Sequence, residues 1–248
     1  MKKIIARILD YLGYALVRKD MVPPDFDEEI KRVVERVRPY TMTSPERLNA
    51  LCHAARYVSA SGIKGDIVEC GVWRGGSTLA VAEILHAIGD TGRTLWMYDT
   101  FEGMSAPTEH DRDTSGTSAQ SLLRVEKKSH DSVIWCCASL ADVKENMQTT
   151  AYPFSQIKFI QGKVEETLRT SVPERISLLR LDTDWYESTR AEMEILFPRL
   201  VTGGVLIIDD YGHWQGARKA IDEYLAAHNV KMLLNRIDYT GRIGVKAF

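Results

Sequence analysis

Two short segments hold the residues of this chain best suited to chemistry. Leu178-Leu179-Arg180-Leu181 runs into Asp182-Thr183-Asp184, and Gly204-Val205-Leu206-Ile207-Ile208 runs into Asp209-Asp210. Each is a mostly apolar run that ends abruptly in acids. A buried strand that finishes in carboxylates delivers them to the edge of a sheet, where open α/β folds bind ligands. Carboxylates converging there repel one another unless something positive sits between them. A hard divalent cation with oxygen ligands suits that place, so the chain reads as a metal-assisted enzyme. Acids also cap helices, and for either pair alone capping is the simpler reading. Two such pairs, each after an apolar strand, shift the balance to a metal.

The segments that position these acids follow a clear order. The pattern over residues 25–37 is helical, with Phe26, Ile30, Val33, Val34 and Val37 on one side. Ser44 and Pro45 mark a strong helix start, and that helix runs to about residue 59. From residue 66 strands alternate with helices. Strands are expected at 66–70, 94–98, 133–137, 157–161, 178–181, 205–208, 231–236 and 243–245. Helices are expected at 77–87, 121–129, 140–147, 190–200 and 216–228. Residues 103–120 are rich in Ser, Thr and Asp and read as a long loop, a candidate lid. This alternation implies an α/β fold with a mostly parallel, doubly wound sheet and N-terminal helices. The expected division is a helical cap at residues 1–60 and a sheet domain at 61–248.

A second chemical signal lies at the first strand-to-helix turn, Glu69-Cys70-Gly71-Val72-Trp73-Arg74-Gly75-Gly76-Ser77. Dinucleotide folds carry three spaced glycines here, the second letting a pyrophosphate touch the backbone. Trp73 occupies that second position, and its indole obstructs a pyrophosphate. A nucleoside without phosphates fits better. Asp99, 28 positions after Gly71 at the end of the second strand, is placed to accept hydrogen bonds from ribose hydroxyls.

Four pieces in order bring a resemblance into view. The glycine turn, Tyr98-Asp99-Thr100-Phe101-Glu102-Gly103, Leu181-Asp182-Thr183-Asp184-Trp185-Tyr186-Glu187-Ser188-Thr189 and Ile208-Asp209-Asp210-Tyr211-Gly212 resemble the macrocin and mycinamicin O-methyltransferase family. The likeness covers roughly residue 41 to the C-terminus. It implies a class I, Rossmann-like methyltransferase that uses S-adenosylmethionine and Mg²⁺ to methylate a hydroxyl of a sugar, glycosylated natural product or glycan. Carried onto matching positions, it makes Asp182, Asp209 and Asp210 the metal ligands and Asp184 the general base. Asp99 becomes the ribose ligand, and Glu69 and Gly71 the walls of the cofactor loop. Thr43 sits where the family brings its N-terminal helix over the cofactor. Gln161 and Gly162, after the strand counted as the fourth, fall near the adenine. The expected chemistry is metal-assisted acidification of a hydroxyl, proton removal by a carboxylate, and in-line transfer of a sulfonium methyl.

Two other functions compete. Asp182-Thr183-Asp184 is also a D-x-D pattern of metal-dependent glycosyltransferases, although such an enzyme has no need of the glycine turn. A non-catalytic cofactor-binding protein is the other, disfavoured because a scaffold has no use for crowded carboxylates. His213 and His110 are candidates for substrate contact, with plain loop roles the simpler reading. Trp185, Tyr186 and Trp214 suit stacking on a sugar face or ordinary packing.

Composition sets the outer limits. Across 248 residues, 32 Lys and Arg against 34 Asp and Glu leave a formal net charge of -2. That balance argues against nucleic acid as a partner. The cysteines Cys52, Cys70, Cys136 and Cys137 form no C-x-x-C pair and fit reduced thiols in a cytoplasmic protein. No segment approaches the roughly 20 apolar residues of a membrane span. At residues 1–19, Ile4, Ile5, Ile8, Leu9, Leu12, Ala15 and Leu16 recur at helical spacing among Lys2, Lys3, Arg7, Arg18 and Lys19. Such a basic amphipathic helix packs on its own domain or a second subunit, or lies weakly on the inner face of a membrane. A homo-oligomer is expected.

Overall fold

The computed structural model describes residues 9, 11, 12, 22–129, 132 and 134–247. The expected basic helix over residues 1–19 falls almost wholly outside them. None of the helices among the described residues is long and apolar enough to cross a membrane.

Helix α1 (Glu28–Val37) starts where the Asp27 side chain accepts from the Ile30 amide, and it buries Ile30, Val33, Val34 and Val37. Helix α2 (Pro45–Ala60) starts at Ser44, whose hydroxyl accepts from the Arg47 amide, with Pro45 in the first turn. Both helices share one apolar core with α3 (Gly76–Ala87) and one face of the sheet.

The sheet has seven strands in the order β3-β2-β1-β4-β5-β7-β6. These are β1 (Asp66–Cys70), β2 (Leu95–Asp99), β3 (Ile157–Gln161), β4 (Ile176–Leu181), β5 (Leu200–Ile208), β6 (Asn235–Arg236) and β7 (Arg242–Val245). The first five run parallel, and β7 is antiparallel to β5 and β6. Every residue of β4 is buried, as expected for a central parallel strand covered on both faces. The remaining helices are α4 (Ala119–Val125), α5 (Leu140–Met147), α6 (Val164–Thr167), α7 (Tyr186–Ile195) and α8 (Gln215–Ala227).

The order changes direction between β1 and β4, so the two lobes of the sheet part there. Ligands bind beyond the carboxyl ends of the strands at such a switch point. Because Leu181 of β4 pairs with Ile208 of β5, the next residues, Asp182 and Asp209, emerge side by side.

Some expected elements differ. The expected strand at residues 133–137 is absent from its described residues, 134–137; Ile134, Trp135 and Cys136 form a turn, and the place beside β2 belongs to β3. The apolar run there reads as a strand, yet its Ile134, Trp135 and neighbouring Leu123 pack beside Trp185 instead. The strand before Gly162 is therefore third in the chain. Helix α7 begins at Tyr186 and ends at Ile195, followed by a 3₁₀ turn through Phe197–Arg199. It lies N-terminal to the expected span of 190–200, and no side-chain cap at Trp185 marks its start. Of residues 231–236, only Asn235–Arg236 is strand, and α6 was not anticipated.

Candidate active site

The acids sit on backbone that the sheet edge dictates. Asp182 donates its amide to the Cys70 carbonyl of β1 at 2.9 Å, and Asp209 donates to Leu181 of β4 at 2.9 Å. The Trp185 amide then bonds back to the Thr183 carbonyl at 2.7 Å. Asp184, between them, has φ +65°. That is a γ-turn of the rare, strained kind. It takes Asp184 off the path of the strand, and Asp182 and Asp184 both line the cleft. The Asp184 carboxyl hydrogen-bonds to Asp210 and to the Trp214 side chain.

Among the described residues, Asp182, Asp209 and Asp210 each offer a carboxylate oxygen, and these oxygens lie within 4.8 Å of one another. Three hard donors at that spacing fit an oxygen-loving divalent ion such as Mg²⁺. Desolvation, and after it the charges of Asp184 and Asp182, push the Asp210 carboxyl well above the usual carboxylate range. Desolvation likewise raises Asp184 to about 7, against the lowering effect of its bond to Asp210. Two acids this close, each favouring its proton, form the electrostatic environment that a cation relieves.

Part of the positive charge is already built in. Arg180, 2% exposed, reaches Glu69 Oε1 at 2.5 Å, Asp182 Oδ2 at 2.7 Å, Asp209 Oδ1 at 2.5 Å and Thr43 Oγ1 at 2.9 Å. Arg47, from α2, pairs with the other oxygen of Asp209 and donates to Asp238 Oδ2 at 3.0 Å. Asp209 thus carries a guanidinium on each oxygen, while a carboxylate oxygen retains a second lone pair for a metal. Neither arginine was singled out in the sequence. Arg180 carried a signal, a lone base inside an apolar strand; Arg47, on an ordinary helix, carried none.

The glycine turn is fixed by steric need. Gly71 has φ +79°, and a Cβ on it would lie 1.9 Å from the Asp182 carbonyl oxygen. Trp73 takes φ +46° in the same turn. Asp99 braces the turn, Oδ2 accepting from the amides of Val72 at 2.8 Å and Trp73 at 3.1 Å. Its Oδ1 accepts from Phe101 N at 2.7 Å and Thr100 Oγ1 at 3.4 Å. The Thr100 contact is the weakest, and so the one a ribose hydroxyl would displace most easily. Glu69, buried beneath the turn, is raised to about 7 by desolvation against the lowering effect of Arg180, and it accepts from the Thr78 hydroxyl.

All of this opens into one cleft of about 390 Å³, within the size range of small-molecule sites. Thr43, Glu69, Gly71, Asp99, Gly162, Asp182, Asp184, Asp209 and Asp210 all line it; Gln161 does not. Gln161 ends β3 with an exposed side chain, whereas Gly162 turns inward. His213 also lines the cleft, its Nδ1 2.8 Å from the Tyr239 hydroxyl. Trp185 and Trp214 flank the acids edge to face at 4.9 Å. His110 packs against Tyr186 at 4.7 Å, and neither is part of the lining.

The model of the family described as macrocin-O-methyltransferase (TylF) matches residues 15–244. The chain belongs to the macrocin O-methyltransferase family. It is an S-adenosylmethionine-dependent O-methyltransferase with the class I fold. One relative is the 8-demethyl-8-(2,3-dimethoxy-alpha-L-rhamnosyl)-tetracenomycin-C 4'-O-methyltransferase of Streptomyces olivaceus, 36% identical over 82% of this chain and 74% of that one. The mycinamicin III 3''-O-methyltransferase of Micromonospora griseorubida is 32% identical over 82% of this chain and 76% of its own. Among solved structures, the O-methyltransferase NovP matches with a TM-score of 0.73 at 29% identity, covering 84% of this chain and 83% of that one. Membership of the macrocin O-methyltransferase family sets aside both the glycosyltransferase and the non-catalytic alternatives.

Proposed function

We propose that this methyltransferase moves a methyl group from S-adenosylmethionine to a sugar hydroxyl on a glycosylated natural product, and that it does so with Mg²⁺. One observation carries the reading: the oxygens of Asp182, Asp209 and Asp210 lie within 4.8 Å of one another in the cleft that Gly71 and Asp99 also line. The printed activities of the relatives, methylation of a rhamnosyl tetracenomycin and of mycinamicin III, support a glycoside acceptor.

Asp182, Asp209 and Asp210 hold the cation. When bound there, Mg²⁺ supplies Lewis acidity toward an acceptor hydroxyl. Asp184, beside Asp182 and Asp210 and lining the same cleft, accepts the hydroxyl proton. S-adenosylmethionine supplies a methyl already activated on sulfur. Glu69, Gly71, Asp99, Gly162 and Thr43 line its side of the cleft and orient it, which leaves alignment as the remaining demand. Trp185 and Trp214 offer faces for a sugar ring and exclude water.

The test is methyl transfer to a panel of rhamnosyl and related glycosides, with EDTA and with Mg²⁺ restored. Loss of turnover in chelator and its return with Mg²⁺ are expected. Undiminished turnover in chelator removes the metal from the mechanism, and transfer to no glycoside removes the sugar.

A further inference from the structure

The Asp111 carboxylate is 0% exposed although it belongs to the loop over residues 103–118. Its Oδ1 accepts from the Tyr186 amide at 2.7 Å, and its Oδ2 accepts from the amide of Thr108 at 2.6 Å and its hydroxyl at 2.9 Å. Tyr186 is the first residue of α7, two places after Asp184. The same Oδ1 fits against Gly216, where an added Cβ would lie 2.0 Å from it. Gly216 lies in the first turn of α8, the helix that follows Asp209 and Asp210. Neither helix has a side-chain cap from its own flanking residue, Trp185 or Trp214. One buried charge therefore meets the positive ends of both helices that leave the acid-bearing turns.

The surrounding loop is fastened to the starts of the same two helices and to the turn between β6 and β7. Gln215 donates its amide to the Arg112 carbonyl at 2.9 Å and its side chain to the Asp113 carbonyl at 2.8 Å. Trp185 Nε1 donates to the Ser105 carbonyl at 3.1 Å, and Thr114 meets the Tyr239 hydroxyl at 3.1 Å. Met104 and Ser105 of this loop line the cleft.

We propose that Asp111 is a positioning residue: it latches the 103–118 loop over the cleft and locks the Asp182-Asp184 turn to the Asp209-Asp210 turn at the spacing a cation needs. The Tyr186 amide holds one turn, and the notch at Gly216 seats the carboxylate against the other. An alanine at Gly216 closes the notch and acts on the same latch as removal of the carboxylate. The metal part of this inference rests on the Mg²⁺-dependent reading above; the latch itself does not.

The experiment compares full-length wild type, Asp111→Ala, Gly216→Ala and the double variant. Trypsin reads the loop at the exposed Arg112, and calorimetry reads binding of Mg²⁺ alone and of S-adenosylmethionine alone. Each single variant is expected to be cut after Arg112 at least tenfold faster and to bind Mg²⁺ at least tenfold more weakly. S-adenosylmethionine affinity should stay within threefold, whereas general loosening weakens both ligands alike. The double variant should be no worse than the poorer single one, because both changes break one contact. Unchanged cleavage, equal loss of both ligands or additive effects overturn the proposal. Should Asp111→Ala fail to fold, Gly216→Ala carries the same readouts alone, since alanine favours a helix over glycine. A wild type that binds no Mg²⁺ sinks the metal reading while cleavage still tests the latch.

Discussion

Gly71 and the Asp182 carbonyl approach so closely that any side chain at position 71 collides with the acid-bearing turn, the Cβ falling 1.9 Å from that oxygen. The cofactor loop and the acid cluster are thus one rigid unit at the switch point of the sheet. Gly71→Ala must move Asp182 or strain a backbone already at φ +79°. The expected cost is about 3 kcal/mol of stability, from crowding and left-handed strain together. Urea unfolding and cofactor titration check it; a folded variant with normal affinity for both ligands would show the two regions to be independent.

Asp182 and Asp184 should separate by experiment. Asp182→Ala raises the Mg²⁺ concentration needed for half-activation. Asp184→Asn leaves that concentration near wild type and lowers kcat by about a hundredfold or more, as loss of a general base does. Equal loss of metal affinity in both variants would merge the two roles.

Glu192 lies fully buried on α7, with Oε1 accepting from the Thr183 hydroxyl at 2.9 Å and the Cys70 thiol beside it. Desolvation pushes its carboxyl well above the ordinary value of 4.5. The folded chain therefore keeps a proton that the unfolded chain releases, and stability declines as pH rises past the unfolded value. Glu192→Gln copies the neutral form and removes that decline. Thermal melts from pH 5 to pH 8 should show the variant gaining on wild type as pH increases. A constant difference between the two across that range would mean that Glu192 does not hold its proton.

Arg180 links Glu69, Asp182, Asp209 and Thr43 from inside the sheet. Arg180→Met strips Glu69, Asp182 and Asp209 of the guanidinium they share and leaves Arg47 on Asp209 alone. The expected loss is about 3–5 kcal/mol, read as a fall in the urea midpoint at unchanged slope. A shift below about 1 kcal/mol would mean that the acids find compensation elsewhere.

Much of the site was legible because it is local. Each acid pair follows an apolar strand directly, so the chain itself states that carboxylates reach the sheet edge. Glycine at position 71 and an acid at position 99 follow from the same strand-to-helix logic. What stayed hidden is non-local. The Arg47 contact with Asp209 and the Asp111 contact with the Tyr186 amide join segments far apart in the chain, and no periodicity encodes such a meeting. Residues 133–137 misled for a related reason: apolar side chains look alike whether they cover a sheet or pack beside Trp185. Of the two residues expected near the adenine, Gly162 lines the cleft and Gln161 does not. Gln161 is the exposed last residue of β3, and the glycine after it, at φ +134°, lines the cleft.

The guanidiniums on either side of Asp209 have a bearing on how the protein comes to maturity. Many small metalloproteins stay unfolded until their ion arrives, because bare ligands will not gather. Here Arg47 and Arg180 act as resident counterions, so the chain can complete its folding before any cation arrives. On the proposed Mg²⁺-dependent reading, scarcity of magnesium would then idle the catalyst without unfolding it, and resupply would restart it with no refolding.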